Sequence, residues 1–160
     1  MIAVDTICRL DWKDTMHRGA VPLVWLLLAG CGSGPSSANT PQEMFQYVIQ
    51  NPIPSSVTNL QGVGDTWQGY SLYLRFNASD ADIDAVIGQG FKPATWQSVS
   101  RRFKLPPEYD RFRPAWKPEA ISTKECYELS DVSNTWTGSG THYLVIDRSA
   151  GTVYFYGVGA

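Results

Sequence analysis

The sequence predicts an α+β domain: an antiparallel sheet of about four to five strands with two or three helices packed on one face. Three observations predict it. Helical and strand-like stretches are segregated along the chain rather than alternating. Tyr70 to Phe76 carries a period-two pattern, the signature of a half-buried strand. Tyr143–Asp147 and Thr152–Gly157 flank Arg148-Ser149-Ala150-Gly151, a hairpin whose glycine can take a positive φ.

The elements follow in order. Thr40-Pro41-Gln42-Glu43 is a capping box with proline at the first helical position. Met44, Phe45, Val48 and Ile49 continue at helical spacing, and Asn51-Pro52-Ile53-Pro54 ends the helix. A strand is expected from Val57 towards Val63, weakened by Gly62 and Gly64. Asp65 to Gly69 reads as a turn. In the next strand Tyr70, Leu72, Leu74 and Phe76 face the core. Ser79 and Asp82 form a second capping box, before Ile83, Val86 and Ile87, with Gly88 and Gly90 as stops. A third, short helix is placed within Thr95 to Phe103. Leu105 to Pro118 holds four prolines and reads as an irregular loop. Cys126-Tyr127-Glu128-Leu129 adds a strand. With Asp147 opposite Thr152, Ile146 pairs with Val153 and Leu144 with Phe155 on the core side. Tyr143, Val145, Tyr154 and Tyr156 then share the other face. With Tyr73 they make a tyrosine-rich surface that either stacks on a sugar or partner, or packs beneath the 101–118 loop.

Composition sets the class. The 160 residues are 43% apolar and 18% charged, which excludes a disordered chain, a coiled coil and a collagen-like fibre. A net charge of -2 argues against a dedicated nucleic-acid binder. Cys8, Cys31 and Cys126 cannot build a disulfide framework.

The amino-terminal segment carries an address. Ala20 to Gly30 is a run of 11 uncharged, mostly large apolar residues behind His17 and Arg18. A spanning helix needs about 20 such residues, whereas the apolar part of a secretory signal has about 7–15. Leu28-Ala29-Gly30-Cys31 closes the run and resembles the lipobox of a bacterial lipoprotein signal peptide. The resemblance implies cleavage before Cys31, diacylglycerol on its sulfur, and usually an acyl group on the new amino terminus. It also implies a protein anchored to a membrane of the cell envelope. Gly32, rather than Asp, after the anchor is similar to the pattern for the outer membrane, facing the periplasm, in a Gram-negative cell. On this reading residues 1–30 are the signal peptide, 31–40 a lipidated flexible tether and 41–160 one folded domain. Residues 1–15 carry Asp5, Asp11 and Asp14 against Arg9 and Lys13, which suits a basic leader poorly, so Met16 is the expected start. The mature part keeps 10 Lys+Arg and 12 Asp+Glu.

Candidate chemistry in the mature part is sparse. Asp80, Asp82 and Asp84 invite a calcium reading, but Ala85 and Phe91 stand where an EF-hand loop needs Gly and Glu. Their place in the first turns of a helix explains them better. His142 is the one candidate catalytic residue, paired in principle with Cys126 and oriented by Asp147 or Asp131. Nothing around Cys126 lowers its pKa, so no catalytic residue is assigned and a noncatalytic protein is expected. No metal site or cofactor is expected either. The unusual segment is Arg101 to Lys117. Arg101, Arg102, Lys104, Arg111, Arg113 and Lys117 stand there against Glu108 and Asp110, a local charge of +4. Phe103, Tyr109, Phe112 and Trp116 are interleaved. With Trp116 as an aromatic contact, the six basic residues are the candidate binding group for another envelope protein or an anionic envelope polymer. The expected partners are the membrane, through the lipid anchor, and such an envelope component, not nucleic acid. The competing reading is a small envelope hydrolase or an inhibitor of an envelope enzyme.

Overall fold

The computed structural model describes residues 40–66, 69–134 and 138–160. The expected signal peptide and Cys31 lie outside them. The elements run α1 (Pro41–Val48), β1 (Thr58–Asp65), β2 (Tyr70–Asn77), α2 (Asp80–Ile87), β3 (Lys92–Ala94), α3 (Trp96–Val99), β4 (Glu125–Asn134), β5 (Gly138–Asp147) and β6 (Thr152–Gly159). Short 3-10 helices at Pro107–Phe112, kinked at Tyr109, and at Pro118–Ala120 interrupt the proline-rich segment.

The strands form one sheet in the order β1-β2-β6-β5-β4-β3, and every pairing is antiparallel. The α+β class is as the sequence predicts, with six strands instead of four to five. The extra edge strand is β3. It pairs Lys92, Pro93 and Ala94 with Glu128, Tyr127 and Cys126, and proline is tolerated there because an edge leaves one side of the ladder open.

The first helix begins as its capping box requires. Glu43 N–H donates to Thr40 Oγ1 at 3.2 Å, and Thr40 N–H donates back to Glu43 Oε2 at 3.0 Å. At α2 only half of the expected box forms. Asp82 N–H donates to Ser79 Oγ at 3.2 Å, but Ser79 N–H turns to Ser56 Oγ at 3.1 Å. Aspartate is one methylene shorter than glutamate. Its carboxylate accepts instead from the hydroxyls of Ser56 and Ser79, and these bonds hold the Asp82 carboxyl below its ordinary pKa.

The hairpin register is the expected one: Asp147 opposite Thr152, Ile146 opposite Val153, Leu144 opposite Phe155. Gly151 supplies the left-handed residue, with φ 55°. The sheet is covered on both faces, which corrects the expectation that all helices pack on one. Leu72, Leu74, Phe76, Leu144, Ile146, Val153 and Phe155 meet Phe45 and Val48 of α1 and Ile83 and Val86 of α2. On the other face Tyr73, Tyr143, Val145, Tyr154 and Tyr156 meet Val99 of α3 and the chain that follows it. Two-sided cover suits strands with continuous apolar runs.

At one end of the first face, glycines make room for rings. A Cβ on Gly159 or Gly140 would run into the Tyr70 side chain, and one on Gly157 would lie 2.8 Å from Phe155 Cε1. Tyr70 Oη and His142 Nε2 are hydrogen-bonded at 2.7 Å on this bed. Gly159→Ala is therefore expected to displace the Tyr70 ring and destabilise the fold by about 1–3 kcal/mol, the usual cost of overpacking. Thermal denaturation checks this; an unchanged Tm would mean that the ring is not seated there.

Candidate functional site

The basic segment is one covering layer over the tyrosine face. Thr95 caps α3, its Oγ1 accepting from Ser98 N–H at 3.2 Å. Val99, Phe103, Leu105, Phe112 and Trp116 turn inward and are buried. The two limbs of the layer are clasped by one bond, since Trp116 Nε1–H donates to the carbonyl of Phe103 at 2.8 Å. The Phe103 and Trp116 rings stack at 5.7 Å, 14° from parallel. Phe112 lies 5.6 Å from the same indole. Beneath, Trp116 meets Tyr73 and Tyr154 edge-on at 5.4 Å each.

This geometry settles the fate of the four tyrosines. Tyr73, Tyr143, Tyr154 and Tyr156 are 4–8% exposed, so they pack beneath the layer and offer no sugar-stacking platform. Burial pushes the Tyr73 and Tyr143 hydroxyls up, and the guanidinium of Arg102 opposes that rise at Tyr143. Trp116 is corrected in the same way. At 4% exposure its indole is the clasp of the layer and not a contact for a partner.

The basic side chains behave oppositely. Arg101, Arg102, Lys104, Arg111, Arg113 and Lys117 are all exposed. Phe103 and Trp116, joined by the clasp, are the immediate neighbours of Lys104 and Lys117 in sequence. The Arg101–Lys104 and Arg111–Lys117 groups thus come together on one layer. Arg113 Nη2 meets Asp110 Oδ1 at 2.5 Å, and the Arg102 guanidinium lies 6.0 Å from the Tyr143 ring centroid. The other four have no carboxylate partner among the described residues.

The catalytic candidates are separated by the sheet. Cys126 pairs with Val145 and Leu129 with His142. Adjacent parity sends Cys126 to the tyrosine face and His142 to the α1/α2 face, so no Cys-His couple exists. Burial pushes the Cys126 thiol up, against the pull of Lys124. His142 is 4% exposed, packed edge-on to Phe155 at 5.0 Å, and desolvation holds its pKa at about 4. Asp147 is used locally, accepting from Ser149 Oγ and Ala150 N–H in the hairpin turn. Asp131 sits at a bulge with φ 60°.

One arrangement has no local signal in the sequence. Arg148, in the β5–β6 turn, reaches Asp84 at 2.6 Å, Glu125 at 3.1 Å and Asp80 at 3.6 Å, and these partners raise its pKa further. It ties hairpin, α2 and β4 together and pairs with Asp80 and Asp84, two of the three aspartates of the Asp80–Asp84 stretch. Lys124, 4.4 Å from the Trp96 ring centroid, likewise emerges only from the fold. No group of metal-ligating side chains occurs among the described residues, and no helix among them is long and apolar enough to cross a membrane. Searches against family models, curated proteins and solved structures return no match for this chain.

Proposed function

We propose that this chain is a lipid-anchored protein of the bacterial cell envelope whose folded domain is a noncatalytic binding module. The Leu28-Ala29-Gly30-Cys31 motif supports the anchor. Thioether-linked acyl chains hold a protein to a bilayer at about 0.8 kcal/mol per buried CH₂, and two chains suffice for stable attachment. The binding group is the basic layer, which takes an envelope partner bearing negative charge. The observation that carries this reading is the Trp116–Phe103 clasp, which gathers exposed cations from both limbs of the segment onto one support. The hydrolase reading draws nothing from His142, which is buried and lies across the sheet from Cys126.

The anchor is tested in bacterial cells fed labelled palmitate. The native protein is expected to carry label and fractionate with membranes, and Cys31→Ser to lose the label. An unlabelled, freely soluble native protein would overturn the proposal.

A further inference from the structure

We infer that the basic layer docks on an anionic phospholipid surface, with the α1/α2 side of the domain turned away from it. The inference rests on reading this layer as the binding group, and the domain's charge asymmetry adds to it. Segments 40–57 and 78–91, which build the α1/α2 side, contain Glu43, Asp80, Asp82 and Asp84 and no lysine or arginine. Arg148 meets Asp80 and Asp84 there. Across the sheet, the 101–117 segment carries its charge of +4. Such a domain experiences a torque near a negatively charged plane and presents one side to it.

The chemistry of the layer narrows the partner. Protein interfaces are centred on exposed aromatic anchors, and here Phe103, Phe112 and Trp116 are all buried. A discrete small anion is held by donors gathered in a recess, whereas all six cations here are exposed. Exposed cations on a stiff support match an extended array of phosphates. Each Lys or Arg near an anionic leaflet contributes about 1 kcal/mol, and the attraction is screened by salt.

The test uses full-length Cys31→Ser protein, which removes acylation, with vesicles of phosphatidylcholine alone or mixed with phosphatidylglycerol. The leader, with Arg18 beside the Ala20–Gly30 run, adds the same background to this protein and to its variant below, so the difference between those two reports the layer. Binding is expected to be stronger on the mixed vesicles and to weaken as salt is raised. The combined substitutions Arg101→Gln, Lys104→Gln, Arg111→Gln and Lys117→Gln should lower that partitioning by roughly a thousandfold. Equal binding to the two vesicle types, or binding indifferent to salt, would overturn the inference without reference to any variant. Retention of soluble polyphosphate with no preference for phosphatidylglycerol would also overturn it, while leaving the layer as a polymer site. Loss of the palmitate label from the native protein would count against the anchor alone.

Discussion

Trp116→Ala is expected to destabilise the domain by about 3–5 kcal/mol, the range for deleting a buried aromatic ring. The indole is 4% exposed. It stacks on Phe103, touches Phe112, and closes edge-on over Tyr73 and Tyr154. Its removal opens a cavity at the centre of the covering layer and takes away the donor to Phe103 O. Trp116→Phe separates the two effects. It keeps a ring but leaves that carbonyl without its partner, an expected loss of about 1–3 kcal/mol. Urea unfolding followed by near-ultraviolet circular dichroism reads both. If Trp116→Ala stayed within about 1 kcal/mol of the native protein, below the range for such a deletion, the layer would not be pinned by this residue.

Acidification should weaken the fold through His142. Desolvation lowers its pKa from 6.5 to about 4 in the folded state. Above pH 6.5 both states are neutral at this site and stability is complete. As pH falls below 6.5 the unfolded chain takes up a proton that the folded chain refuses, so stability declines. The decline ends near pH 4, where the folded form is protonated too. The total is on the order of 3 kcal/mol, from 1.36 kcal/mol per pKa unit. Asp82, held below 3.8, titrates beneath this window. Stability measured by urea from pH 7 to pH 4 should show the slope, and His142→Gln should flatten it. An imidazole resonance assigned to His142 that titrates near 6.5 would contradict the prediction directly.

The local devices of this fold are legible in its sequence, and the devices that depend on partners are not. The Thr40–Glu43 box, the β2 pattern and the β5–β6 register each depend on residues close in sequence or on a short turn, and the structure has all three. The two-sided cover also left a trace. Tyr143-Leu144-Val145-Ile146 and Val153-Tyr154-Phe155-Tyr156 run without polar alternation, as strands buried on both faces do. Lys92-Pro93-Ala94 gave no such trace, because three residues with a central proline carry no period and pair only through β4. The basic layer was visible as composition, but which way its aromatics turn was not. Interleaved charge and ring look alike whether the rings face a partner or the protein's own sheet. The Cys126–His142 pairing failed for a different reason: parity across a sheet exists only once the β4–β5 register is known.

The place of β6 between β2 and β5 has a consequence for biosynthesis. Until Thr152–Gly159 leaves the ribosome, the β1–β2 ribbon and the β3–β4–β5 ribbon share no backbone bonds. Closure then joins Tyr70–Asn77 to a segment far downstream, a non-local step of the slow kind. Until β6 is made the sheet stays open as two separate ribbons, so every strand from β1 to β6 must be present before it can close.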